Sequence, residues 1–235
     1  MLVTSEPWPD PTIVEEEMKK MHISGFEVIK ALIPYYSVDL EVRTKRGLRK
    51  RSKTAINASF LHFPRELGQV IPLFRPTLLK QALIEFDRVE VILFPRSELD
   101  LETFLLKIVD WSKENDERIK KVRNSMKKIY STLKYTLFLP APPGFSKAER
   151  KYSRNLSRLL GQKYGINLLL GIGLGQSIES IVIKNSKLFH SKVIVLKSER
   201  PLIFEVSKKG IEFLSGLDRI FEEVPESLDY VRSVI

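Results

Sequence analysis

The order of apolar segments after residue 88 constrains the fold more than any other feature of this chain. "VEVILFP" (89–95) is a continuous apolar run, which is typical of a strand buried on both faces. Periodicity predicts further helices and strands in near alternation. The expected helices are 101–133, 146–163, 177–191 and 208–223, and the expected strands are 134–140, 165–173, 192–198 and 201–207. We therefore expect an α/β fold with a Rossmann-like, mostly parallel sheet and flanking helices, since right-handed crossovers join such elements.

The N-terminal part predicts a smaller α+β region. Helical spacing extends over 13–32, and Tyr36 to Arg43 then alternate apolar with polar residues, as a half-buried strand does. Residues 53–58 read as the partner strand of a β-hairpin centred on Gly47. Prolines concentrate over 64–77, so we predict a boundary that separates residues 1–76 from a Rossmann-like domain at 77–235.

The hairpin connection is strongly basic. "RTKRGLRKRSK" (43–53) holds seven basic residues and no acidic one. These residues are candidates for phosphate contact, and they are Arg43, Lys45, Arg46, Arg49, Lys50, Arg51 and Lys53. The alternative is a solvated turn that touches nothing.

A second basic feature is the stripe that the predicted helix 146–163 carries. Spacings of four, three and four residues place its members on one side of the helix, opposite the apolar residues; they are Lys147, Lys151, Arg154 and Arg158. Glu149 lies off this stripe. Because a solvated helix face normally mixes both signs of charge, the stripe favours contact with an anionic partner.

Composition agrees with a polyanion partner and excludes several kinds of site. The net charge is +10 and the isoelectric point is near 9.6, which favours phosphate-rich partners, although ordinary Lys/Arg usage could also produce it. The chain has no cysteine, so disulfides, thiol nucleophiles and thiolate metal sites are excluded. No apolar run is long enough for a membrane span and no signal peptide is evident, so we expect a cytoplasmic protein without membrane contact.

The segment "GIGLGQS" (171–177) is a candidate ligand site. Between a strand and a helix, its glycines would let backbone N–H groups approach a phosphate; the candidate positions are Gly171, Gly173, Gly175, Gln176 and Ser177. The spacing is GxGxG and not GxGxxG, and no Walker A sequence is present. A tight turn that needs glycine only for its backbone is the alternative.

Residues 88–200 resemble the Rossmann-like ligand-sensing domain of CRISPR-associated CARF proteins. The segment "YGINLLLGIGLGQSIESIVIKNSKLFHSKVIVLKS" is similar to that family's strand, small-residue turn, helix and strand. In that family the turn helps to bind a cyclic oligonucleotide. The resemblance implies that Gly173, Gly175, Gln176 and Ser177 contact a nucleotide ligand.

Catalytic signals are weaker. Asp39, Glu41, Arg43 and Lys45 share one face of the predicted strand and resemble part of a PD-(D/E)XK nuclease site, but any amphipathic strand exposes charges in this way. Histidines are too far apart for a metal centre, and "PLIFEVSKKGIEFLSGL" (201–217) also resembles the end of a winged helix.

The sequence therefore favours a non-catalytic protein that binds DNA, RNA or a nucleotide ligand, without a cofactor or metal. The alternatives are a metal-dependent nuclease and an accessory subunit that forms a homodimer or joins a larger assembly. Catalytic residues, the type of nucleic acid and the pathway stay open.

Overall fold

A computed structural model describes residues 1–60, 66–87, 90–134, 145–214, 216–223 and 225–235. The strands are β1 (Leu2–Thr4), β2 (Glu27–Thr44), β3 (Arg49–Asn57), β4 (Leu83–Glu85), β5 (Ile92–Leu93), β6 (Ile178–Lys197), β7 (Leu202–Ser207) and β8 (Gly210–Phe213). The α-helices are α1 (Pro11–Lys20), α2 (Leu101–Lys134), α3 (Phe145–Leu169), α4 (Gly216–Glu223) and α5 (Pro225–Val234). Three short 3-10 helices lie between Leu67 and Lys80.

All eight strands belong to one mixed sheet that curls into a half-barrel. Its main path has the order β3-β2-β6-β1-β4, with β5 beside β2, β7 beside β6 and β8 beside β7. Pairing is antiparallel except for two short parallel contacts, β1 with β6 and β2 with β5. The centre of the sheet is the long antiparallel pair β2 and β6, whose register shifts twice, and such bulges increase local twist and curvature.

The expected mostly parallel Rossmann-like sheet is therefore wrong. Much of the error lies at 177–191, where we predicted a crossover helix and the structure has the first half of β6. Ile178, Ile181 and Val182 have helical spacing, but this segment pairs with β2 across its whole length. A long-range partner supplies hydrogen bonds to every second residue, and this tertiary pairing overrides the local pattern.

Other predicted elements change in extent or type. The predicted strand 165–173 is wrong because α3 continues to Leu169, so Ile166 and Leu170 reach the core from successive helical turns. The predicted helix 13–32 ends at Lys20, and its second half begins β2. Residues 210–213 of the predicted last helix form β8, which leaves a shorter α4. The predicted strand 134–140 lies almost wholly outside the described residues.

Several predicted elements are confirmed, among them the strand 201–207 as β7 and the helix 146–163 within α3. β2 and β3 form the expected hairpin around Gly47, whose backbone φ is 78°, a left-handed conformation that favours glycine. α2 covers the predicted helix 101–133. The hairpin is longer than expected, because β3 starts at Arg49 and takes in half of the basic tract.

The main core lies between the inner face of the sheet and the helices α2 to α5. Leu40 and Val42 of β2 belong to this core together with Phe104 and Ile108 of α2, and all four side chains are fully buried. Burying each side chain of this size stabilises the fold by about 1.5–3 kcal/mol. A smaller cluster on the other side of the sheet seats α1 through Met18.

No helix of the described residues is both long and apolar enough to cross a membrane. β2 and β6 come from the two predicted regions and share one sheet. A shared sheet does not by itself decide whether residues 1–76 and 77–235 fold separately, so that boundary stays a prediction.

Candidate nucleic-acid interface

The basic tract of the hairpin presents most of its charge on the outer face of the sheet. Residues directly opposite each other in an antiparallel pair project to the same face. Arg43 lies opposite Arg49, and the next pairs towards the sheet centre place Arg51 and Lys53 opposite acidic residues of β2. On the inner face, Val42 and Ser52 are buried, so the exposed arginines point away from the main core.

The two acidic residues of β2 reduce the charge of this outer face. Glu41 is held by two cations, with 3.1 Å from Arg43 Nε to Oε1 and 3.2 Å from Lys184 Nζ to Oε2. Hydrogen bonds from Arg43 and Lys184 lower the pKa of Glu41. The neighbouring Asp39 lies opposite Lys53. The hairpin face is therefore basic overall, but it is a surface of mixed sign.

This arrangement bears on the nuclease hypothesis. Asp39, Glu41 and Arg43 do share one strand face, whereas Lys45 lies beyond β2 in the turn. Both carboxylate oxygens of Glu41 contact cationic side chains, which leaves them poorly placed to bind Mg²⁺. Across the part of the chain that is described, no group of three or more His, Asp or Glu side chains could hold a metal ion.

The glycine-containing turn at 171–177 joins a helix to a strand, which is the reverse of the expected order. It follows the C-terminus of α3, where the helix dipole repels anions, and it leads into β6. Gly171 has φ of 66°, and the N–H groups of Gly171 and Ile172 donate to Leu168 and Asn167. These bonds form a Schellman motif, so Gly171 is required to end the helix and not to approach a phosphate.

A buried asparagine organises the rest of this turn. Asn167 is 1% exposed, and its Nδ2 lies 2.9, 3.2 and 3.0 Å from the carbonyl oxygens of Gly173, Leu174 and Gln176. Gln176 N–H also donates to Gly173 O within the turn. This role was not predicted, because Asn167 lies inside the segment 165–173 that was expected to be a strand.

The structure brings this turn to the tip of the basic hairpin. The backbone N–H of Lys45 donates to Ser177 O at 3.0 Å, and Thr44 pairs with Ile178. Ser177 Oγ also lies 3.2 Å from Lys163 Nζ, which in turn contacts Asp116 at 2.6 Å. Two sequence features predicted separately therefore form one surface region, with Lys45, Arg46 and Lys50 exposed around it.

The predicted stripe is present on α3, but its last member is neutralised. Lys147, Lys151 and Arg154 are exposed. Arg158 Nη1 donates to both carboxylate oxygens of Glu66 at 2.7 Å. Burial disfavours ionised Glu66, but hydrogen bonds from Gln162 and Arg158 outweigh burial and lower its pKa. Arg158 therefore ties α3 to the segment before the first 3-10 helix.

A second basic stretch, which was not predicted, lies beside this stripe on α2. Exposed basic residues cover the second half of α2, and they are Arg118, Lys120, Lys121, Arg123, Lys127 and Lys128. This half packs against α3 through a small separate cluster that includes Ile119, Val122 and Leu159. We call residues 118–134 of α2 and 145–158 of α3 the basic arm.

The basic arm accounts for the excess charge of the whole protein. Between Arg118 and Arg158 the sequence has twelve Lys or Arg residues and one acidic residue, Glu149, whereas the full chain has a net charge of +10. The interval has a net charge of +11, so the residues outside it have a net charge of −1. Counting charge in a sliding window would have shown this concentration without any structure.

The arm and the hairpin face are separate surfaces. α2 and α3 pack on the inner side of the sheet, and the arginines of the hairpin project from the outer side. Arg158, the stripe residue closest to the hairpin tip, precedes the end of α3 by about 16 Å of helix. The basic tract and the stripe thus lie on two surfaces, of which the arm is the more purely basic.

Comparison of the chain with family models, curated proteins and solved structures found no match.

Proposed function

We propose that this protein binds nucleic acid through the basic arm, by contacts to the phosphate backbone. The observation that carries the proposal is the concentration of net charge +11 in one helical pair, against −1 for the remainder of the chain. Such a field attracts a polyanion and releases its counterions, which drives association without base-specific contacts.

The contacts of the arm support this assignment. Six of its basic side chains make no ion pair within the described residues, and they are Lys120, Lys121, Arg123, Lys127, Lys151 and Arg154. Glu149, the one acidic residue of the arm, accepts a hydrogen bond from Tyr130 at 2.7 Å. The basic groups are therefore available to phosphates without first breaking internal pairs.

Duplex nucleic acid fits the arm better than a single strand. Single-strand sites combine charge with aromatic rings on which bases stack. Among the arm residues whose side chains are described, Tyr130 is the exposed aromatic ring, and its hydroxyl is tied to Glu149. The basic side chains are instead spread along about 25 Å of α2, which suits contact with the evenly spaced phosphate groups of a duplex.

Three triple variants with equal loss of charge test the proposal. The arm variant is Lys127→Gln, Lys151→Gln, Arg154→Gln, and the hairpin variant is Arg49→Gln, Arg51→Gln, Lys53→Gln. The control variant is Lys19→Gln, Lys208→Gln, Lys209→Gln, whose residues are exposed on α1 and in the β7–β8 turn. Fluorescence anisotropy with a labelled duplex and a labelled single strand measures affinity for each.

We expect the arm variant to weaken duplex binding roughly tenfold or more at low salt, and the control variant to change it little. The hairpin variant should have an intermediate effect, because Glu41 and Asp39 already offset part of that charge. Equal losses in all three variants would mean that only total charge matters, which contradicts the proposal. Binding of an acidic protein in place of nucleic acid would contradict it as well.

A further inference from the structure

A polar cavity far from the arm has the features of a small-molecule site. Its volume is about 590 Å³, and it lies between the β7–β8 hairpin, the 3-10 segments at 71–77, the end of α3 and the start of α4. Apolar walls come from Ile71, Phe74, Leu169, Phe213 and Leu214. Pockets for small ligands commonly combine such walls with a few charged groups that fix orientation.

One side of the cavity carries two acidic residues. Glu205 is only 5% exposed, and its Oε1 accepts a long 3.4 Å hydrogen bond from Ser191. Glu212 lies directly opposite Glu205 in the β7–β8 pair. Neither carboxylate forms an ion pair with any described cation. A buried carboxylate without a counter-ion is unfavourable, so the protein retains a group here that destabilises the fold.

The same cavity also carries a cation. Arg75 lines the cavity, and its Nη1 donates to the carbonyl of Phe74 at 3.0 Å. It is close enough to Glu205 to affect the pKa of that carboxyl, yet it forms no ion pair within 4 Å of a described carboxylate. Opposite charges therefore face one space without neutralising each other.

A buried hydroxyl group close to Glu205 is incompletely satisfied. Tyr35 is fully buried, and its hydroxyl has no hydrogen-bond partner of normal geometry among the described residues. Glu205 and Asn57 are near enough to act on this hydroxyl electrostatically or through a weak bond. Buried polar groups of this kind are rare in cores and concentrate at binding sites.

We infer that this cavity binds a small zwitterion of the amino-acid or short-peptide class, with its ammonium group against Glu205 and Glu212 and its carboxylate against Arg75. A guanidinium is well suited to a carboxylate because it can donate two parallel hydrogen bonds. The apolar walls would take a hydrophobic side chain. Since no group of three or more His, Asp or Glu side chains that could hold a metal ion is found among the described residues, an organic cation matches this end better.

Isothermal titration calorimetry on the intact chain tests the inference with L-phenylalanine and L-leucyl-L-leucine as probes. We expect at least one of them to bind with a Kd below about 1 mM. For the probe that binds, the methyl ester lacks the carboxylate and the N-acetyl form lacks the ammonium group. Each modified form should bind about tenfold more weakly than the zwitterion, because one charged end of the cavity is left unpaired.

Variants locate the two ends. Arg75→Gln should remove the preference for the zwitterion over the ester, and Glu205→Gln should remove the preference over the N-acetyl form. The exposed Glu179→Gln serves as control and should change neither. Failure of both zwitterions to bind, or equal binding of zwitterion and ester to the unaltered protein, would overturn the inference. Duplex binding by the arm is unaffected by either result.

Discussion

Neutralising Glu205 should make the protein more stable at neutral pH. Burial raises the pKa of this carboxyl to about 6 from an ordinary 4.5, with Glu212 adding to the effect and Arg75, Ser191 and Tyr35 opposing it. One pKa unit corresponds to about 1.4 kcal/mol, so the shift is worth about 2 kcal/mol. Glu205→Gln keeps the size of the side chain and removes the buried charge.

The sign of this effect follows from proton binding. Between pH 4.5 and 6 the unfolded chain has lost the Glu205 proton while the folded protein retains it, so the free energy of unfolding falls as pH rises through this interval. Above pH 6 the full penalty of about 2 kcal/mol is present. The gain from Glu205→Gln should thus be largest at pH 7 and should vanish towards pH 4.

Urea denaturation at pH 7 and at pH 4.5 measures this difference for the wild type and the variant. Titration of other carboxylates affects both proteins and cancels in the comparison. Glu179→Gln, at an exposed position near the start of β6, is the matched control and should change stability little at either pH. The reasoning is refuted if Glu205→Gln is no more stable than the wild type at pH 7, or if its gain is equal at both values.

Two further substitutions test the local structure. Asn167→Ala removes the amide that donates to three carbonyls of the 171–177 turn, so it should lower the free energy of unfolding by about 1–3 kcal/mol. Backbone amide hydrogens of the turn should also exchange faster with solvent. Unchanged exchange would contradict this role of Asn167. Gly216→Ala places a Cβ 2.3 Å from Pro72 Cβ and should destabilise by about 1–3 kcal/mol in thermal melts. Gly161→Ala, in α3 with nothing within 4 Å, should be neutral or stabilising, and similar losses in both glycine variants would argue against the Pro72 contact.

Local patterns predicted the elements whose residue spacing fits only one kind of secondary structure. The α2 helix has a regular apolar spacing, and the β2–β3 hairpin combines alternation with a glycine at a left-handed turn. The first half of β6 was not predictable in this way, because Ile178, Ile181 and Val182 have helical spacing while Ile178, Ser180 and Val182 also have the two-residue spacing of a strand. Only the long-range pairing with β2 decides between them, and one sequence does not contain that information in readable form.

The candidate sites likewise differ in whether local sequence could predict them. The stripe on α3 followed from helical periodicity, and the charge on α2 could have been found by counting. By contrast, the contact between Lys45 and Ser177 joins residues far apart in the chain, and the Glu205–Arg75 cavity depends on how β7, β8 and the 3-10 segments meet. Side chains that converge only through tertiary structure leave no local signal in the sequence.

The central claim is that the charge concentrated in the basic arm binds phosphates, and the salt dependence of duplex binding tests it most directly. The slope of log K against log salt concentration should be steep for the wild type and smaller in magnitude by up to about 2.7 for Lys127→Gln, Lys151→Gln, Arg154→Gln, since each duplex phosphate contact contributes about 0.9. The control variant on Lys19, Lys208 and Lys209 should keep the wild-type slope. Equal slopes for the wild type and the arm variant, or binding that ignores salt, would contradict the account.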